Sequence, residues 1–505
     1  MYSIQTSFVF PVSIIIISIF LKCISSYFRR NNKNSPPGPP KLPLIGNLHQ
    51  LGSSPHRALL EMAKKHGPVI LVHLGSVPML VASSTEIAQK ILKTHDLAFC
   101  NRPILKVANT ILYGSKDIAF CPYGEHWRQM KSIAVLQLLS NKRVQSFRKV
   151  REEETDYMIS KIEESCGSLV NLSDLFVSLT NSVVCRVALG KTYRGLKFKN
   201  LLEKLMDILG VLSAGSYIPW LSWLDHYNGL QRMTNEVAKE FDELLEGVLE
   251  EHINKNRMAH NVGDHGDDEY DGQDLVDILL DVQREKTGSF VVDKDTIKAV
   301  ILDVFAAGTD TTSTNIEWAV SELVKHPQVM KKLQQEVTAI ANGRPMIIEE
   351  DLDKMKYLKA VIKETLRIHI PLPLLVQRES IKDVKLMGYD IPIGTRVVIN
   401  AWALGRDPSQ WNDPDEFKPE RFLNSSIDYK GFHYQFIPFG SGRRGCPGIQ
   451  FAIAVNELAI ANLVYKYDLS LPDGKRGEEL DMTEITGLTT HRKSPLLLVA
   501  TPRVL

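Results

Sequence analysis

The first pattern along the chain is an apolar run from Phe8 to Phe28, FVFPVSIIIISIFLKCISSYF. About 20 helical residues at 1.5 Å each cover the ~30 Å hydrocarbon core of a bilayer. Lys22, near the end of the run, is placed to snorkel. Arg29, Arg30 and Lys33 follow directly, while residues 1–7 carry no charged side chain. That asymmetry puts the N-terminus in the lumen and the body in the cytosol. A cleaved signal peptide would put its basic residues before a shorter apolar core. The pattern therefore predicts a lumenal N-terminus (1–7), a transmembrane anchor (8–28), a basic stop-transfer flank with a proline-rich hinge (29–40), and a cytosolic body (41–505). Pro36-Pro37-Gly38-Pro39-Pro40 favours stiff polyproline II and predicts a rigid spacer. The sequons at Asn171 and Asn424 would face the cytosol, unmodified.

Beyond the hinge the spacing is mostly that of amphipathic or buried helices. The windows are 55–66, 84–95, 125–160, 172–187, 229–256, 274–284, 294–324, 327–342, 355–369 and 448–466. Short β-rich runs fall at Val69–Leu74, Pro78–Ala82, Val384–Leu386, Arg396–Asn400 and Leu496–Ala500. These are too few and scattered for a doubly wound sheet. The fold class is mainly α with small β-sheets. A length of 505 residues has room for about three domains, yet the pattern reads as one large body. The acidic, turn-rich run Asp264–Asp274 reads as a solvated loop.

Composition narrows the function. Lys+Arg 60 against Asp+Glu 59 gives a net charge of +1, so no basic field argues for nucleic acid as a partner. The six cysteines form no CxxC pair and no CxxCH box, which leaves zinc and c-type haem unsupported. Their sparseness fits a reducing compartment.

One cysteine stands apart. Pro438–Gly448 reads PFGSGRRGCPG and runs straight into a helical pattern. Glycines permit tight turns and close approach of backbone to a flat ligand. Backbone N–H groups at a helix start favour a thiolate, and Arg443 and Arg444 supply cations for ligand carboxylates. Together these predict a thiolate metal ligand tuned by N–H donors. Three further patterns break local rules. Ala307-Gly308-Thr309-Asp310-Thr311-Thr312 sets glycine and polar residues inside an apolar helix. Glu364 and Arg367 share a helix face. Trp127 and Lys131 lie one turn apart.

The decapeptide Phe439–Gly448 resembles the haem signature F-x-x-G-x-R-x-C-x-G of the cytochrome P-450 family. The resemblance runs over nearly the whole chain, anchor and hinge included, and implies the family's triangular α-rich prism. It implies haem b, with Cys446 as axial iron ligand and Phe439, Arg444, Trp127, Lys131 and Arg378 around the cofactor. Lys131 stands where the family has Arg and loses the bidentate fork; Gln377 stands where relatives commonly have Pro before Arg378. Glu364 and Arg367 with Arg421, in Pro419-Glu420-Arg421-Phe422, would form a structural network. Thr311 would be the oxygen-activating threonine and Asp310 its acidic partner, both catalytic through proton delivery. Thr110, Phe120, Ala306, Ala307, Leu372, Val376 and Leu488 would line an apolar substrate pocket.

The same resemblance implies an O2- and NADPH-dependent monooxygenase in the endoplasmic reticulum membrane. The chain has no GxGxxG after a predicted strand, so electrons would come from a separate NADPH-cytochrome P-450 reductase, with cytochrome b5 as a second partner. Lys131, Lys142, Arg143, Arg148, Lys149 and Arg151 would form the docking face. The finer likeness is to plant microsomal enzymes of specialised metabolism, carried by RESIKDVKLMGYDIP and INAWALGRDP. It points to a coumarin, furanocoumarin or other phenylpropanoid substrate. A terpenoid hydroxylase and a non-catalytic haem-binding protein are the alternatives.

Overall fold

The computed structural model describes residues 18, 34–193, 196–211, 213–262, 273–285 and 291–504. Almost all of the Phe8–Phe28 run and most of the Asp264–Asp274 run lie outside them. Among the described residues, the helix long and apolar enough to cross a membrane is Leu172–Leu189, and it is a mostly buried core helix.

The helices that place the site are α1 (Glu125–Ile133), α2 (Leu172–Leu189), α3 (Lys294–Lys325), α4 (Lys356–Ile368) and α5 (Ile449–Lys466). Two of them are capped by side chains. Asp293 caps α3 by accepting the Thr296 amide at 2.8 Å. Asn171 caps α2, and Gly190 ends it in the left-handed region at φ 68°. α3 is buried on nearly every side through its C-terminal half, where polar residues such as Thr312, Asn315 and Ser321 are enclosed along with Ile316, Trp318 and Leu323, so no single apolar stripe marks it. It packs most extensively on α2. Gly308 permits that approach, since a Cβ there would sit 2.9 Å from Val184 Cγ2. The glycine in the middle of α3 thus serves helix packing.

The strands are β1 (Val69–Leu74), β2 (Val77–Ala82), β3 (Leu169–Asn171), β4 (Arg378–Glu379), β5 (Val384–Leu386), β6 (Tyr389–Ile391), β7 (Arg396–Ile399), β8 (Tyr467–Ser470), β9 (Glu484–Thr486), β10 (Thr490–Arg492) and β11 (Leu497–Pro502). One sheet runs β1-β2-β7-β4, with β2 and β7 parallel. A second runs β3-β11-β8, and β5-β6 and β9-β10 are hairpins.

Several windows end differently from the sequence reading. The 125–160 window breaks after α1 into a π-helical turn at Ala134–Leu138, then Asn141–Ser146 and Arg148–Glu163. The 84–95 window likewise turns π-helical at Lys90–Thr94. Helix Leu196–Gly210 was not read, although Leu201, Leu202, Leu205 and Ile208 bury one face of it. The proline segment is packed against the body: Pro37 accepts the Leu71 amide at 2.9 Å, and Asn47 Nδ2 donates to Pro40 at 3.1 Å.

Candidate active site

The cysteine loop lies between a short 3-10 turn, Gly442–Arg444, and the start of α5. The Cys446 amide donates to the Phe439 carbonyl at 3.0 Å, and the Gly448 amide donates to Cys446 Sγ at 3.3 Å. Gly440 and Gly442 turn the chain at φ 69° and 71°. Burial pushes the Cys446 thiol up, against the Gly448 N–H and the Lys131 ammonium. Its side chain is nevertheless accessible. Both hold for a sulfur deep in the body that lines internal space.

Cations gather beside this loop. Lys131 Nζ donates to the Gly445 carbonyl at 2.7 Å. Arg444 donates to the carbonyls of Cys100, Ile118 and Cys121, with its guanidinium 4.1 Å above the Trp127 ring. The Trp127 indole donates to Ile118 at 3.1 Å. Arg378 reaches Asp96 at 3.2 Å and the Ser441 carbonyl at 2.8 Å. Arg102, absent from the sequence reading, donates to Ala119, Val376 and Gln377 carbonyls. Burial lowers Lys131 to about 8 and Arg444 to about 10, and drives Arg102 far down. Among the described residues, Lys131, Arg102 and Arg444 bond to carbonyls and to no carboxylate. Buried cations without counter-ions are costly. A haem, with a thiolate ligand and two propionates, supplies the missing negative charge, so the residues present fit that group.

Under α4, Arg367 grips Glu364 through two 2.8 Å hydrogen bonds. Arg421 Nε joins the same carboxylate at 2.9 Å. Arg367 also donates to the carbonyls of Gly405, Pro414 and Glu416, so the three side chains tie the segment before Cys446 to α4.

In α3 the helix is unbroken through Ala307–Thr312. Thr311 Oγ1 bonds back to the Ala307 carbonyl at 2.6 Å. Ala307 is exposed and Thr311 half-buried on a helix otherwise enclosed. Asp310 turns to the β9–β10 hairpin, where Thr489 Oγ1 donates to Oδ2 at 2.5 Å.

An apolar cavity of ≈180 Å³ brings together Phe120, Leu372, Val376 and Leu488. Thr110, Ala306 and Ala307 are not in its wall; Tyr217 and Gln377 are. The loop carrying Phe120 is pinned to α3 by Asp303, which accepts the amides of Ile118 and Ala119 at 2.6 and 3.1 Å. Burial raises Asp303 strongly and its neighbour Asp117 to about 6. Asp303 and Arg102 were legible only as charged residues in apolar surroundings. Leu375, just before Val376, adopts φ 53°, so the turn preceding Gln377 is a left-handed one.

The basic face needs one correction. Arg151 is buried and paired with Glu349, which withdraws it from any docking surface. Arg148 is paired with Glu152 and Glu350, and Lys149 with Glu153. Lys142 is exposed.

Comparisons with known proteins agree with this geometry. A family model for cytochrome P-450 matches residues 36–499. A 3-beta-hydroxylase of Tanacetum parthenium is 53% identical over 99% of both chains. Psoralen synthase of Ammi majus is 50% identical over 97% of each, and norfluorocurarine oxidase of a Strychnos species is 50% identical over 97% of this chain and 96% of its own. A zebrafish cytochrome P-450 solved with progesterone superposes with a TM-score of 0.75 over 89% of this chain and 99% of that one, at 24% identity. The chain belongs to the cytochrome P-450 family, monooxygenases that bind haem through a cysteine thiolate and draw electrons from NADPH through a reductase.

Proposed function

We propose that this monooxygenase oxidises a small hydrophobic plant metabolite, a coumarin, furanocoumarin or other phenylpropanoid. Haem, when bound, would supply redox chemistry, with Cys446 as the residue that would hold its iron. The protein's own groups do the rest. Gly448 N–H tempers the thiolate, Arg444, Trp127, Arg378, Arg102 and Lys131 hold the cofactor, and Asp310 and Thr311 hand on protons. The observation that carries this reading is the set of buried cations bonded to carbonyls around Cys446. The largely apolar wall of Phe120, Leu372, Val376 and Leu488 supports a hydrophobic substrate.

The likeness to psoralen synthase supports the coumarin class. The relative named as a 3-beta-hydroxylase keeps terpenoid hydroxylation as the second reading. The apolar run at 8–28 and its basic flank support a single-pass anchor in the endoplasmic reticulum, with the body cytosolic and reductase and cytochrome b5 as partners.

The test is microsomes carrying the chain and a reductase, given coumarin, flavonoid and terpenoid panels and read by product mass. Oxygen insertion or ring closure on a coumarin with NADPH is expected. Oxidation confined to terpenoids overturns the substrate class. Cys446→Ala should lose both turnover and the thiolate-type Soret band of the reduced CO complex; oxidation retained by that variant overturns the mechanism.

A further inference from the structure

The β9–β10 hairpin meets α3 with two faces. Leu488 lines the apolar cavity. The next residue, Thr489, is 1% exposed and turns to Asp310. Its hydroxyl donates to Asp310 Oδ2 at 2.5 Å and also meets His491 Nε2. That nitrogen lies 3.4 Å from Asp310 Oδ1, and His491 Nδ1 bonds Thr314 Oγ1 at 2.8 Å. Trp318 Nε1 donates to the Thr490 carbonyl at 3.0 Å and fixes the hairpin on α3.

Asp310 and His491 open onto a different cavity, of ≈340 Å³. Its wall includes Ser178, Asn181, Asp207, Thr309 and Ser313. Thr309 Oγ1 is buried there with no partner among the described residues. Buried hydroxyls are satisfied by protein or by ordered water, and a cavity of this size holds several waters. Burial by itself lowers the His491 pKa. Asp310, with Glu317 and Asp207, outweighs it and holds the ring above the ordinary histidine range.

We propose that His491 and Thr489 form the proton entry to Asp310, fed by water at the polar groups of this cavity. The proposal rests on Asp310 being the acidic partner of Thr311. In the step, the Thr489 O–H bond breaks and its proton passes to Asp310 Oδ2. The His491 Nε2–H bond breaks and its proton replaces the one lost by Thr489. The ring thereby passes from imidazolium to neutral imidazole, keeping Nδ1–H toward Thr314, and regains a proton at Nε2 from hydronium carried in from solvent through the cavity water. No electrons move in the relay. Asp310 stays on the hairpin side of α3 between deliveries because both its oxygens face this pair. Thr489 and His491 are positioning and relay residues for the acid.

The test uses the full chain with haem, in vesicles with a reductase. The first readout is independent of turnover: acylation of His491 by diethyl pyrocarbonate across pH, mapped by peptide mass. In Asp310→Asn the midpoint should fall by about one pH unit relative to wild type, the size of a typical charge-pair shift. Equal midpoints overturn the coupling. The second readout is hydrogen peroxide released per NADPH consumed. His491→Gln and Thr489→Val should raise it about tenfold, within the range for losing a positioned proton donor, with the thiolate-type CO band intact. Thr489→Ser should keep the wild-type ratio. A wild-type ratio in Thr489→Val, or equal damage from Thr489→Ser, overturns the relay. If wild type consumes no NADPH, the monooxygenase reading is what fails, and the His491 midpoint still decides its coupling to Asp310.

Discussion

Glu364 and Arg367 hold each other through two 2.8 Å hydrogen bonds at a place where neither side chain has any solvent exposure. Glu364 Oε1 also accepts Arg421 Nε at 2.9 Å and the Lys418 amide at 2.8 Å. The carboxylate thus pairs with two guanidinium groups at once. Removing one partner of a buried ion pair costs about 3–5 kcal/mol, because the other charge stays desolvated.

Glu364→Gln should therefore lower the unfolding midpoint in urea and sharply reduce the fraction of chain with a thiolate-type CO band. Arg367→Lys should do nearly the same, since one ammonium cannot replace a fork that binds a carboxylate and three carbonyls. Wild-type stability in either variant would show that the network is ornamental.

The two glycines that turn the cysteine loop differ in kind. A Cβ on Gly442 would lie 2.5 Å from the Leu92 carbonyl oxygen and 2.7 Å from Asp96 Oδ1. A Cβ on Gly440 would meet only Leu375 Cδ1, at 3.9 Å. Gly440→Ala pays the left-handed backbone term alone, about 1–2 kcal/mol. Gly442→Ala adds a clash with backbone and should cost at least about twice that. Haem content after purification should fall modestly in the first variant and severely in the second.

Glu484 ties the β9–β10 hairpin to helix Pro55–His66, accepting His56 Nε2 at 3.0 Å and Arg57 Nε at 2.6 Å. Burial alone would raise this carboxyl, but the two hydrogen bonds outweigh it and hold it at about 2, against 4.5 when unfolded. A depressed acid stabilises the fold fully above its unfolded pKa and loses that contribution as pH falls toward its folded one. The lost stability should accordingly appear between pH 4.5 and 2 and amount to about 2 kcal/mol after solvent screening. In Glu484→Gln, acid unfolding monitored by haem release should be flatter over that window. An unchanged acid profile would refute the linkage.

Much of this was legible in the chain, and the rest was hidden for physical reasons. Cys446 sits in a short glycine-rich segment whose residue types break propensity, and Glu364 and Arg367 pair at helical spacing. The tie of that pair to Arg421, far along the chain, was implied only by the family resemblance. Arg102, Asp303 and His491 could not be read from their neighbourhood. Each acts through partners more than 100 positions away, such as Val376 for Arg102 and Asp310 for His491. A lone charged residue carries no mark of such a partner. Helix Leu196–Gly210 had the amphipathic spacing but no polar capping residue before it to set its start. The reverse error is Arg151, a basic residue in a basic run, whose burial against Glu349 depends on tertiary packing.

Gln377 gives the sharpest handle on substrate choice. Its Nε2 donates to the Tyr217 hydroxyl at 3.1 Å, while its Oε1 is buried in the cavity wall with no partner among the described residues. An unpaired buried acceptor costs about 1–3 kcal/mol. A substrate that donates a hydroxyl or N–H there recovers part of that cost; an ether or methyl at the same place does not. Gln377→Leu removes the acceptor and leaves an apolar wall. Spectral titration with matched hydroxylated and methoxylated aromatic ligands should show about tenfold weaker binding of the hydroxylated member, equivalent to about 1.4 kcal/mol. The methoxylated member should bind as well or better. Equal losses for both would mean that Gln377 acts by holding Tyr217 and the turn at Leu375, and that the acceptor itself meets no substrate.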